Sequence, residues 1–152
     1  MDAAASIGAS AVFFAHKFPK AEIVALEPDP VKFELLKENT AGLRVECIQS
    51  RIAPYSGDDG GVPELAISEV CCRPQSFLVK FAVEAGDLFT ANHGWLDRTA
   101  VLIAELADHL LPGTPLTRGF VERAVNWNRD FIYLEDTIFS IRRRIGRSLL
   151  AV

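Results

Sequence analysis

Cysteine is scarce in this chain, cationic clusters are short, and no apolar run is long. The three cysteines are Cys47, Cys71 and Cys72. An adjacent pair cannot bridge without strain, and the spacing matches no metal site, so reduced thiols in a cytoplasmic protein without a metal centre are expected. Sixteen basic residues against twenty acidic ones leave a net charge of −4. Nucleic-acid binding depends on clustered cations that neutralise phosphates, so no nucleic-acid partner is expected. The one basic run, Arg142-Arg143-Arg144 with Arg147, reads as a solvated strand end. No apolar stretch reaches membrane-spanning length, and the start lacks the cationic-then-apolar pattern of a signal peptide. A soluble chain with no membrane partner is the expectation.

Glycine is also missing where a nucleotide-binding turn would most need it. The GxGxxG fingerprint puts glycines where backbone turns tightly and approaches a ligand. Here the corresponding stretch reads Ala3-Ala4-Ala5-Ser6, and only Gly8 remains. What is present is a spacing: Glu27 follows Gly8 by nineteen positions and closes the apolar run Ile23-Val24-Ala25-Leu26. An acid about 20 residues after a glycine turn is where α/β nucleotide-binding folds place the carboxylate that accepts ribose hydroxyls. The same spacing also fits an ordinary βα unit whose small residues serve helix–strand packing.

At 152 residues, 49% apolar and 24% charged, the chain has the balance of one globular domain over residues 1–152. Met1 to Ala5 reads as the end of a strand whose beginning is absent, which implies either a fragment of a longer protein or a compromised sheet. Ser10 to Phe18 is apolar on most faces and predicts a helix covered on two sides, ended by Pro19. Ala21 to Leu26 reads as a buried parallel strand. Asp29-Pro30 predicts a helix start with Asp29 as N-cap, Phe33, Leu35 and Leu36 as its buried stripe, and Gly42 as its stop. A third strand covers Leu43 to Ile48.

The segment Ala53 to Gly61, rich in proline, glycine and acid, predicts a surface loop; Val62 to Val70 predicts a short strand and a helical turn capped by Ser68. Strands follow at Phe77 to Val83 and Val101 to Leu106, with a helix over Gly86 to Asp97 between them and another from Leu116 to Trp127. Phe131 to Leu134 and Thr137 to Arg142, joined by Glu135-Asp136, predict an antiparallel pair. The whole describes an α/β, Rossmann-like three-layer sandwich: a mostly parallel sheet, a truncated first strand and a C-terminal antiparallel hairpin. An unpaired central sheet edge would also invite a second copy, hence a homo-oligomer.

Several motifs together resemble the FkbM-like S-adenosylmethionine-dependent methyltransferases. Asp2-Ala3-Ala4-Ala5-Ser6-Ile7-Gly8 is similar to the family's DxGANxG opening, with Ala4 for the first glycine and Ser6 for the asparagine. Phe18-Pro19-Lys20-Ala21, Ala25 to Pro30, Phe33 to Lys37 and Asn39-Thr40 follow the family almost residue for residue. Lys80 to Phe89 resembles its KxDxEGxE segment, Ile103 to Leu106 with His109 and Pro112-Gly113 its strand-five segment, and Asn128 to Arg144 its closing hairpin. The resemblance implies S-adenosylmethionine as cofactor. Asp2, Ala4 and Gly8 would line its methionine side, Glu27 would hold the ribose through charge-assisted hydrogen bonds, and Ser50 would lie near the adenine.

Methyl transfer from a sulfonium is an in-line displacement, so the protein supplies proximity, orientation and, for a hydroxyl acceptor, a base. The candidates at the strand ends are Glu84, Glu105 and His109. His109 has the most suitable ordinary pKa, near 6.5. The expected reaction is O-methyl transfer to a small-molecule or sugar hydroxyl. Three departures point to weakened turnover: Ala4, Ala82 in place of the strand-four aspartate, and the short first strand. The alternative is a non-catalytic cofactor-binding or interaction domain on the same fold; a nicotinamide-dependent oxidoreductase is disfavoured by the absent GxGxxG glycines and by the terminal hairpin, which suits a methyltransferase sheet better.

Overall fold

The computed structural model describes residues 1–53, 55–71, 77–81, 94–105, 120 and 128–143. Its elements run β1 (Asp2–Ala3), α1 (Ala9–Lys17), β2 (Ile23–Leu26), α2 (Pro30–Asn39), β3 (Val45–Ile48), β4 (Arg51–Ala53), β5 (Gly57–Asp59), β6 (Val62–Ala66), α3 (Ile67–Val70), β7 (Leu78–Phe81), α4 (Gly94–Arg98), β8 (Val101–Glu105), β9 (Arg129–Leu134) and β10 (Thr137–Arg142). Seven strands form one sheet in the order β3-β2-β1-β7-β8-β10-β9. The pairs from β3 to β8 are parallel, and β10 is antiparallel to both its neighbours. The strand order reverses at β1, which makes the carboxyl ends of β1, β2 and β7 the crevice where open α/β sheets collect ligands.

Each face of the sheet has its own core. On one face Ala11 and Ala15 of α1 and Leu36 of α2 pack with Ala5, Ile23 and Ala25. On the other, Ala3, Val79, Phe81, Leu102, Ala104 and Ile138 of the sheet meet Ile67, Trp95, Leu96 and Phe120. The alanines at β1 and α1 let helix and strand approach closely. Asp29 caps α2 as expected, its Oδ1 accepting the Val31 and Lys32 amides at 2.9 Å each, with Pro30 in the first turn.

Several expectations are corrected. The outer side of α1 is open, with Phe13 and Phe18 exposed, because the described structure covers this helix on its sheet side only. Leu35 is exposed, since it sits one position off the stripe that Leu36 buries against the sheet. The stretch from Ala53 to Gly61 includes β5, which pairs antiparallel with β6 in a small sheet of order β4-β6-β5. Its glycines and acids form the turn of that pair: Asp58 Oδ1 accepts the Gly61 amide at 2.6 Å. The short α3 has Ala66 at its N-cap position with no side-chain cap, and Ser68 lies inside the helix. Of the helix expected over 86–97, α4 covers the last part, and the remainder lies outside the described residues, as does the helix expected over 116–127 except Phe120.

Arg129 locks the hairpin to the sheet. Its guanidinium is buried and donates to Ser140 Oγ at 2.7 Å, to the carbonyls of Leu96, Thr99 and Ala100, and to the Ser140 carbonyl at 2.9 Å. Burial lowers its pKa to about 10, Arg142 nearby adding to the effect. Its acceptors among the described residues are all neutral, and Asp97 nearby partly offsets the effect of burial.

Candidate functional site

The chain leaves β1 through a bend in which three residues take the left-handed conformation: Ala4 (φ 58°), Ser6 (φ 52°) and Gly8 (φ 89°). Two of these are not glycine, and each costs roughly 1–2 kcal/mol that surrounding contacts must offset. The contacts are visible. Ala5 N–H donates to Leu26 O at 2.8 Å, Gly8 N–H to Ala5 O at 2.9 Å, and Asn39 Nδ2 to Ile7 O at 2.8 Å. The Glu27 carboxylate does the rest, with Oε2 accepting the Ser6 amide at 2.8 Å and Oε1 the Asp29 amide at 3.0 Å.

Glu27 therefore joins the bend after β1 to the start of α2 from the carboxyl end of β2. It is buried, yet two backbone donors use only about half the acceptor capacity of a carboxylate, which offers roughly four lone-pair sites. Gly8 suits this position through its backbone, at φ 89°, and a Cβ there would lie 2.7 Å from Leu36 Cδ1, so that buried side chain would have to shift. Ala4 is exposed on the outside of the same bend. Ser50, just after β3, is buried, and its hydroxyl faces the Arg51 and Pro63 carbonyls at 2.9 and 2.8 Å.

Asp2 has a different environment. It is fully buried, and neither carboxylate oxygen has a hydrogen-bond partner among the described residues. Burial pushes its pKa up, and the neighbouring Lys80, whose Nζ lies 3.7 Å from Oδ1, only partly opposes this. Lys80 also pairs with Glu105 Oε1 at 3.2 Å. The register explains the grouping. Asp2 is opposite Lys80 and Lys80 opposite Ile103, so Asp2, Lys80 and Glu105 share one face near the strand ends. Two carboxylates surround the Lys80 ammonium, and the Met1 ammonium also acts on Asp2, so the cluster is balanced in formal charge.

Of the residues singled out in the sequence, Asp2, Ala4, Gly8 and Glu27 thus assemble around one turn, and Glu105 joins Asp2 through Lys80. Glu84 and His109 lie outside the described residues, as do Ala82 and His93. Lys80 was visible only as the first letter of a motif. Its role could have been found by aligning it with Asp2 across two adjacent parallel strands.

Solved structures with this architecture are known. A precorrin-6y C5,15-methyltransferase from Geobacter metallireducens superposes with a TM-score of 0.58 at 13% identity, covering 92% of this chain and 76% of its own. TrmK from M. capricolum, in complex with S-adenosyl-homocysteine, gives 0.55 at 13% identity, covering 92% and 58%. Fibrillarin from Methanococcus jannaschii, a pre-rRNA processing protein, gives 0.55 at 14%, covering 92% and 63%. The chain has the Rossmann-like methyltransferase fold. It spans less than two-thirds of the last two proteins, and at these identities the likeness is one of fold. No family model matches the sequence, and no curated protein matches it.

Proposed function

We propose that this chain binds S-adenosylmethionine at the carboxyl ends of β1, β2 and β7 and transfers its methyl group to a hydroxyl of a small molecule. The observation that carries the reading is Asp2: a buried carboxylate whose oxygens have no hydrogen-bond partner among the described residues, beside a turn that a second buried carboxylate holds. A cofactor with two cationic centres and a ribose complements that arrangement. Asp2 fits an ammonium donor, which would relieve its orphaned oxygens. The unused lone pairs of Glu27 fit ribose hydroxyls. When bound, the cofactor supplies an activated methyl group. The chain's own residues bind and orient it, the buried Asp2 carboxylate offering its oxygens to a cation there.

The fold accommodates more than one acceptor class, since the neighbours include proteins named for precorrin methylation and for pre-rRNA processing. The net charge of −4 supports a small-molecule acceptor over a polyanion. No helix of the described residues is long and apolar enough to cross a membrane. One observation favours a second reading, binding without transfer: Glu105, a candidate base, already pairs with Lys80 at 3.2 Å. Calorimetric titration with S-adenosylhomocysteine tests the shared premise, and absence of heat at millimolar ligand would overturn both. Release of S-adenosylhomocysteine in the presence of hydroxylated acceptors then separates transfer from binding alone.

A further inference from the structure

The seven-stranded sheet ends at β9, and that edge is apolar on both faces. Ile132, Tyr133 and Leu134 are 56%, 58% and 62% exposed. Side chains alternate along a strand, so Ile132 and Leu134 stand on one face and Tyr133 on the other, beside the half-buried Phe131. Soluble proteins blunt an exposed edge with lysine, proline or a bulge, because its free backbone groups are a template for pairing. From Phe131 to Leu134 this edge has no charge, no proline and an unbroken register with β10.

The direction of the backbone groups follows from the hairpin. At its root Arg143 N–H donates to Asn128 O at 3.1 Å. At its tip the two-residue turn Glu135-Asp136 leaves Leu134 and Thr137 to exchange hydrogen bonds. Bonded pairs alternate with unbonded ones, so the N–H and C=O of Phe131 and Tyr133 point away from β10, where no described strand receives them. Charge is divided along the same strand. The tip has two exposed acids, Glu135 and Asp136, whereas the root sets Arg129, Arg142 and Arg143 against Asp97 and Asp130. Arg143 Nε donates to Asp130 Oδ1 at 2.9 Å, and the root keeps a cation in excess.

We propose that β9 pairs antiparallel with β9 of a second copy, about a two-fold axis through Ile132, so that one sheet runs across both chains. An antiparallel pair brings the acidic tip of each hairpin to the basic root of the other, and this is why the occupant is a copy of the chain itself. The register centred on Ile132 uses the outward groups: Phe131 and the partner's Tyr133 exchange backbone hydrogen bonds on both sides of the axis, and Arg129 lies opposite the partner's Glu135. Centring on Tyr133 would set Asp130 against the partner's Asp136, and centring on Phe131 would carry Glu135 past the partner's Arg129. At the axis the two Ile132 side chains meet, with Leu134 on the diagonal, and on the other face Tyr133 meets the partner's Phe131. The inference uses the hairpin alone and is independent of the proposed cofactor site.

The test is sedimentation equilibrium on the 152-residue chain from micromolar to near-millimolar concentration. A reversible dimer is expected, and hydrogen exchange at the Phe131 and Tyr133 amides should slow as the dimer fills. Ile132→Lys puts two ammonium groups on the axis and should weaken association about ten-fold or more, leaving the melting temperature of the dilute monomer unchanged because the side chain is exposed. Mild oxidation reads the register. Ile132→Cys brings two Cα atoms to about 4.5 Å and should give a disulfide-linked dimer, whereas Leu134→Cys, roughly 14 Å from its counterpart, should not; the unaltered chain controls for the native cysteines. A chain that stays monomeric throughout would overturn the proposal and leave the edge to an extended segment of a different protein. A dimer that Ile132→Lys leaves intact, equal cross-linking at both positions, or exchange protection on the open side of α1 in place of Phe131 and Tyr133 would overturn it as well. The exchange measurement uses the unaltered chain, so the outcome does not hang on a variant that fails to fold.

Discussion

Lys80 lies 3.7 Å from Asp2, a fully buried carboxylate that has no hydrogen-bond partner among the described residues. The pair is what keeps an unsatisfied acid inside the sheet, and Glu105 at 3.2 Å holds the ammonium from its outer side. Removing one partner of a buried pair leaves an uncompensated charge, which typically costs about 3–5 kcal/mol. Lys80→Met should therefore destabilise the chain on that scale in urea denaturation. The double variant Lys80→Met with Asp2→Asn should recover most of the loss, because neither member of the pair then carries a charge. Equal destabilisation by the double variant would show that Lys80 acts through packing.

The raised pKa of Asp2 makes a prediction about pH. An acid whose pKa folding raises binds its proton more tightly in the native chain than in the unfolded one. Its contribution to stability is then greatest at low pH and falls as pH rises from the ordinary value, near 3.8, through the higher native value. Relative to the unaltered chain, Asp2→Asn should gain stability as pH goes from 4 to 7. A bound cation should reverse the effect of ionisation, so affinity for S-adenosylhomocysteine should increase over the same range and binding should release protons. Calorimetry in two buffers of different ionisation enthalpy reads that release directly.

Glu27 has two tasks that substitution can separate. Glu27→Ala removes the acceptor for the Ser6 and Asp29 amides as well as the proposed ribose contact. Glu27→Gln keeps one neutral acceptor oxygen. Cofactor affinity should fall by roughly 1.5–3 kcal/mol in the alanine variant, the scale of a hydrogen bond to a charged group. The glutamine variant should keep more of the melting temperature while losing a similar share of affinity. Unchanged affinity for S-adenosylhomocysteine in both would place the ribose elsewhere.

Much of this was legible in the sequence because the signals were local. Asp29-Pro30 dictates a helix start through one side chain and one ring, and the apolar run before Glu27 dictates a strand buried on both faces. The Lys80 cluster was not legible, since it depends on the register of three strands distant in sequence. β5 was hidden for a related reason: its strand is three residues of glycine and aspartate, and only pairing with β6 makes it one. Nor does a sequence reveal that Leu35 and Leu36 have opposite fates, which the rotation of α2 against the sheet decides.

Ala4 gives the last test, because two effects of one methyl group can be measured apart. Its φ of 58° is a conformation that a Cβ disfavours by roughly 1–2 kcal/mol and glycine does not. Glycine also loses more backbone freedom on folding, by roughly 0.5–1 kcal/mol relative to alanine, so the strain relief is partly offset. Ala4→Gly should thus raise stability by no more than about 1 kcal/mol. The exposed methyl stands on the outer side of the bend, next to the proposed cofactor position, and its removal should improve affinity for S-adenosylhomocysteine by more than it improves stability. If melting temperature rises while affinity does not, the bend is strained but its outer side is not where the ligand approaches. If affinity falls, Ala4 itself makes a contact that the unsubstituted backbone cannot supply.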